Sequence, residues 1–251
     1  MIKLPEYHQS SINMFLKCPR QYMFRHLQGL VLPPKAALTL GSALDSGVTK
    51  NYEQKITSKV DLKVDDVLDV YSSSFDLRAK ETDWEGEDQG KQKDLGAKML
   101  RVFQEKAAPK IQPISVQESF RIETDAGFCL GGTLDLIDEN KIIRDTKTSK
   151  AEYSEDAVSD SLQATMYDFA YEAKNGVAPA GFAFDVVTKH KEPRYQQVSG
   201  KVTNGQRERM FEAINIMHSQ INRGEFQFAP EGYWACSKSW CGYWDKCKGK
   251  K

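Results

Sequence analysis

The strongest constraint on the fold is a change of hydrophobic period near the middle of the chain. Runs at 114–124, 128–138 and 141–146 are rich in β-branched and aromatic residues, with turn-forming residues at 125–127 and 138–141. Such runs read as strands, and tight turns make successive strands antiparallel. A helical segment follows at 159–173, with Leu162, Met166, Phe169 and Ala170 on one side, then strands at 181–189 and 195–200. Helical spacing dominates on either side of this β-β-β-α-β region. It predicts helices over 10–27 (with Pro19 opening a second helix), 39–52, 64–80, 93–107 and 203–223. In 64–80, Val67, Leu68, Tyr71 and Phe75 recur at three- and four-residue steps. The polar, acidic, glycine-bearing stretch at 81–94 reads as an exposed loop or lid.

With 251 residues and 40% hydrophobic content, the chain can fill one sizeable core. No segment approaches the roughly 18 consecutive apolar residues of a membrane helix. The opening MIKLPEYHQS has no apolar run, so a cytoplasmic protein without membrane association is expected. Lys plus Arg and Asp plus Glu both number 35. A polyanionic partner must therefore be held by a local basic patch, since the overall field gives no help.

The segment IIRDTKTSK at 142–150 raises the chemical question. Alternate residues of a strand share a face, so Asp145 and Lys147 stand side by side. The preceding strand ends GGTLDLID, and the tight turn brings Asp135 across from Asp145. Two such carboxylates repel, which raises a pKa or demands a cation. Mg²⁺ or Mn²⁺ answers that demand with carboxylates, water and substrate phosphate oxygens. Lys147 is then placed to stabilise the charge on a phosphodiester. The bland reading is a solvated hairpin whose ion pair contributes less than about 1 kcal/mol.

GGTLDLIDENKIIRDTKTSK resembles the core of the PD-(D/E)xK nuclease superfamily, in its RecB-like branch. Gly132 and Asp135 match a G-x-x-D strand, Asp145, Lys147 and Thr148 a D-x-K-T strand, and Gln163 and Tyr167 a helix with Gln and Tyr four apart. SSINMFLKCPRQYMFRHL is similar to the first helix of that branch. The resemblance implies a restriction-endonuclease-like α/β core, a central mixed sheet flanked by helices. It implies a single nuclease domain over 1–251, with a mainly helical part at 1–110, a catalytic core at 111–200, and a helix plus cysteine-rich tail at 201–251. It implies catalytic roles for Asp135, Asp145, Lys147, Gln163 and Tyr167. One or two metal ions would be held by Asp45, Asp135, Asp145 and the Thr146 carbonyl. Glu118 matches an acidic position that is either a further ligand or a supporting group. The branch usually carries a His in a G-x-x-x-H context where this chain has Asp45 in LGSALDSG. An aspartate still offers oxygen to Mg²⁺ or Mn²⁺, with an altered metal preference.

Of the five cysteines, Cys236, Cys241 and Cys247 crowd the tail as C-x4-C-x5-C. Three thiols at this density point to a metal centre that needs a fourth ligand, for which Cys18 in KCPRQ is the candidate. The spacing alone leaves zinc and an iron–sulfur cluster open. The resemblance to AddB-type and CRISPR adaptation nucleases implies a [4Fe–4S] cluster. Cys129 reads as a small buried apolar residue. Trp234, Trp240, Tyr243 and Trp244, with Lys238, Lys246, Lys248, Lys250 and Lys251, suit either base stacking and phosphate neutralisation or shielding of the centre.

The resulting expectation is a metal-dependent DNA exonuclease acting in recombination, repair or phage DNA processing. No G-x-x-x-x-G-K-[ST] occurs, so any helicase or recombination motor would be a separate chain. The alternative is a catalytically weak or inactive iron–sulfur subunit that binds DNA or supports assembly.

Overall fold

A computed structural model describes residues 4–248; Lys250 and Lys251 of the basic tail lie outside them. The first part of the chain holds β1 (Glu6–His8), α1 (Gln9–Lys17), α2 (Pro19–Tyr22) with a π-helical turn at Met23–Leu27, α3 (Ala36–Ser58), α4 (Val64–Ala79) and α5 (Gln89–Lys106). Then come β2 (Pro113–Glu123), β3 (Cys129–Asp138), β4 (Ile142–Ser149), α6 (Leu162–Asn175), β5 (Gly181–Thr188), β6 (Tyr195–Gly200), α7 (Asn204–Asn222) and α8 (Trp244–Cys247). These elements fall into two compact units. One draws on Met1–Leu32, Arg121–Gly132 and Arg207–Lys251, the other on Pro33–Phe120 and Thr133–Gln206.

In the larger unit the sheet order runs β3-β4-β5-β6, with β2 also on β3. The hairpin partners β3/β4 and β5/β6 are antiparallel, while β4 and β5 are parallel. The connection between these parallel strands carries α6, as parallel neighbours require a crossover. The sheet is therefore mixed, as expected. β5 is buried along its whole length, which is why GFAFDVVT shows no alternation. Helices α3, α4 and α5 pack with Leu136 and Val187 into one apolar cluster that includes Leu44, Tyr71, Phe75 and Phe103. Close approach there depends on glycine. A Cβ at Gly96 would lie 2.6 Å from Tyr71 Cζ, and one at Gly47 would lie 2.8 Å from Leu100 Cδ2.

Several helix boundaries differ from expectation, the start of α5 among them. α5 starts at Gln89, ahead of the expected 93, because Asp88 Oδ1 accepts the Lys91 backbone N–H at 2.9 Å and caps the first turn. The shortened acidic loop is also anchored. Trp84 packs against Phe75 at 5.9 Å between ring centroids, and its Nε1–H donates to the Ala79 carbonyl at 3.3 Å.

In the smaller unit, β1 pairs in parallel with the start of β3, Glu6 opposite Cys129. Three residues give no detectable period, so this strand is invisible in the sequence. As expected, a second helix opens at Pro19, and Cys18 between the two is extended (φ −161°, ψ 103°). Pro19 disfavours a helical conformation in the residue before it and then opens α2 at its first position. Cys18 is thereby left at a helix break with its side chain buried.

Candidate active site

The β3–β4 register sets Leu136 opposite Arg144 and Ile137 opposite Ile143, so the next pair outward is Asp135 and Asp145. The carboxylate pairing inferred from the turn is what the sheet builds. Asp145 is 1% exposed, and its two oxygens have different fates. Oδ1 accepts a hydrogen bond from Gln163 Nε2 at 2.6 Å. Oδ2 lies 2.7 Å from Lys147 Nζ, an ion pair inside the site. Gln163 sits in the first turn of α6, whose start is fixed by the Ser161 hydroxyl accepting the Ala164 N–H.

A third carboxylate joins the pair from α3. Burial, then the negative charge of Asp145, raise the Asp45 pKa, opposed by Lys147 and Arg78. Burial together with Asp145 and Asp45 pushes the Asp135 carboxyl up to about 9. Burial alone would lower Lys147, but the adjacent Asp145 and Asp135 outweigh it and hold the ammonium above its ordinary range. The site therefore holds more negative charge than Lys147 neutralises, and it relieves the excess by keeping a proton on Asp135 at neutral pH.

Asp45, Asp135, Thr146 and Lys147 line an open cleft of about 320 Å³, with Gly41 and Thr148 on its wall. Tyr167, one turn beyond Gln163, is buried with its ring edge-on to Phe120 (5.8 Å between centroids). Burial raises its pKa, Gln163 lowers it by hydrogen bonding, and Asp135 and Asp145 raise it further. Its phenol is thus a protonated donor beside the acids. Glu118 stands apart, with Ser115 Oγ and Lys174 Nζ each 2.5 Å from its carboxylate. Burial raises it, but the hydrogen bonds from Lys174 and Ser115 prevail, so its pKa is lowered.

Sequence reasoning missed the support behind β4. Arg144 points to the other face, where its Nε donates to Asp138 Oδ2 at 2.8 Å and its Nη1 lies 3.1 Å from both oxygens of Asp185. Tyr195 Oη donates to Asp185 Oδ1 at 2.6 Å. A charged residue inside an otherwise apolar strand start was the available signal. This buried network fixes β4 one residue away from Asp145.

Asp45, Asp135 and Asp145 are hard oxygen donors of the kind a divalent cation takes, but their side chains do not converge on one point in this structure. Among the described residues, no three His, Cys, Asp or Glu side chains stand close enough to share one ion. In the smaller unit the thiols of Cys18, Cys236, Cys241 and Cys247 line one common cavity. Burial raises Cys247, Arg20 opposes, and the other three cysteines add to the rise. Gln21 Nε2 donates to Cys241 Sγ at 3.3 Å. Cys129 is fully buried outside that cavity.

No curated protein matches the sequence. A candidate exonuclease from Eubacterium rectale, known from a 2.19 Å crystal structure, shares the fold at a TM-score of 0.57 and 15% identity, over 96% of this chain and 87% of that one. The structure of SSO0001 aligns over 100% of this chain and 89% of that one at 15% identity, with a TM-score of 0.41. The sequence profile of the PD-(D/E)XK nuclease superfamily matches residues 8–248, a span that takes in the opposed aspartates, the lysine two residues on and the glutamine that holds Asp145. The chain belongs to the PD-(D/E)XK nuclease superfamily.

Proposed function

We propose that this protein is a metal-dependent deoxyribonuclease of the RecB-like type that hydrolyses DNA from its ends. The observation that carries this reading is the excess of negative charge at one point: Asp135 opposite Asp145, with Asp45 alongside, balanced only in part by Lys147. A binding module for phosphates has no use for carboxylates that repel its ligand. A nuclease needs them, because a bound Mg²⁺ or Mn²⁺ polarises the phosphodiester and acidifies a water. Asp45, Asp135, Asp145 and the Thr146 carbonyl are the groups that would hold one or two ions, while Glu118 is engaged by Lys174 and Ser115. Lys147 presents its ammonium to the charge that builds on the phosphoryl oxygens. Gln163 holds Asp145 through its Oδ1, and Tyr167 lies one turn further along the same helix.

Cys18, Cys236, Cys241 and Cys247 are proposed to hold a [4Fe–4S] cluster, with zinc as the competing occupant. Its role would be structural. A centre joining Cys18 to the tail closes a loop of more than two hundred residues, and its binding free energy becomes folding free energy. We place the activity in recombination, repair or phage DNA processing, within one nuclease domain and with any helicase on another chain.

Digestion of end-labelled linear DNA beside a covalently closed circle, with Mg²⁺ or Mn²⁺, tests this reading. Loss of the linear DNA only, abolished in Asp145→Ala, is the expected result. Survival of both substrates would replace it with the second reading, an inactive DNA-binding or assembly subunit. That reading draws on Asp45 occupying the place where the branch usually has a histidine.

A further inference from the structure

Near the carboxylates the sheet gathers a second set of charges. The parallel register of β4 and β5 ends with Ser149 opposite Thr188, and the next residues outward are Lys150 and Lys189. The Lys189 backbone N–H donates to the Ser149 carbonyl at 2.6 Å, and His190 Nε2 lies 2.9 Å from the Lys150 carbonyl. At the other side of the turn, the Thr188 N–H donates to the Arg194 carbonyl at 2.9 Å and the Arg194 N–H donates to Thr188 Oγ1 at 3.1 Å. The turn from β5 to β6 is thus fastened to the end of β4, and it presents Lys189, His190, Lys191 and Arg194 beside Lys150.

Like charges on adjacent strands repel, so this crowding costs stability unless something offsets it. Lys55, Lys93 and Lys174 each have an acidic partner within 2.8 Å. Among the described residues, the side chains of Lys150, Lys189, Lys191 and Arg194 have none. Burial lowers the Lys189 pKa; Glu87 eases this and Lys150 adds to it. Glu87 itself is engaged by Gln92 Nε2 at 2.7 Å. Two further acids in these segments, Glu152 and Glu192, are exposed and leave the four basic side chains in excess.

Location gives this charge a use. Lys150 follows Thr148, on the wall of the cleft, by two residues, about 7 Å of extended chain along one strand face. That is too far to serve the phosphate at the carboxylates and within reach of its neighbours on the same strand. Ammonium and guanidinium groups donate only, and they neutralise phosphate without reading sequence. We propose that Lys150, Lys189, Lys191 and Arg194 form a phosphate-binding saddle that holds the DNA strand adjoining the cleavage point. The choice of DNA rests on the nuclease reading above.

The test is fluorescence anisotropy of a labelled oligonucleotide across a salt series, in an Asp145→Ala background so that no DNA is cut. Lys189→Gln/Lys191→Gln should bind at least about tenfold more weakly, and its slope of log affinity against log salt should be shallower by about 1.4 for a single strand. Lys59→Gln/Lys63→Gln, in the turn between α3 and α4, should match the parent. Unchanged affinity and slope in the saddle variant overturn the proposal. Cleavage of bis(p-nitrophenyl) phosphate, too small to span both sites, is measured alongside with Asp145 restored. If no protein cuts this diester or DNA while the saddle variant still loses DNA affinity, the nuclease reading falls and the saddle stands.

Discussion

Replacing Asp135 with Asn should change how stability responds to pH, with a size set by the crowding at the site. In the folded, metal-free protein the Asp135 carboxyl keeps its proton up to about 9, against an ordinary value of 3.8. Between those limits the folded state binds more protons than the unfolded chain, so stability falls as pH rises. The contribution is fully present below pH 3.8 and is lost by the time pH passes about 9. Each pH unit inside the window is worth about 1.4 kcal/mol, so from pH 6 to pH 8 the wild type should lose about 3 kcal/mol relative to Asp135→Asn. Asparagine keeps the shape of the side chain and cannot ionise, so contributions from groups that do not interact with Asp135 cancel in the difference. The assay is urea unfolding in EDTA at several pH values for both proteins. A gap that does not change with pH would refute the crowding argument. Saturating Mg²⁺ should flatten the wild-type dependence, since a cation replaces the proton.

The same proton gives a second readout: Mn²⁺ binding near pH 7 should release it, so calorimetric enthalpies in two buffers should differ by the ionisation enthalpy of the buffer. Gln163→Leu removes the donor to Asp145 Oδ1 and should weaken Mg²⁺ or Mn²⁺ binding by about 10- to 100-fold while far-ultraviolet dichroism stays unchanged. Lys147→Met should reduce cleavage by at least about 100-fold with little change in DNA affinity; a loss confined to KM would contradict its assigned role. Gly96→Ala places a Cβ against Tyr71 and should destabilise the protein by about 1–3 kcal/mol despite the better helix propensity of alanine; a rise in Tm would show that Tyr71 can yield. Cys18→Ser should remove the bound iron or zinc measured by elemental analysis and lower Tm, whereas Cys129→Ser should keep the metal.

The strands and most helices were legible because their hydrophobic periods are long enough to read, as in α4 and the run from β2 to β4. The pairing of Asp135 with Asp145 was legible too, since a tight turn between antiparallel strands fixes which residues oppose one another. Gln163 and Tyr167 were recognised through resemblance, and the start of α6 carries both to the site. What local pattern does not encode was missed. β1 is too short to show a period, and the early start of α5 depends on a single capping aspartate. Trp84 looked like part of a solvated loop because its neighbours are acidic, yet an indole gains by packing on Phe75.

The sequence by itself determined the fold class, the opposed carboxylates, the lysine beside them and the four thiols as a set. Only the tertiary structure decided how those groups behave. The depth of burial raises Asp135, and desolvation is a property of everything packed around a residue. The pairing of Glu118 with Lys174, the Arg144–Asp185 network behind β4, and the meeting of Lys150 with Lys189 each join residues more than 35 positions apart. No local pattern encodes those contacts, because they exist only once the sheet has closed its register.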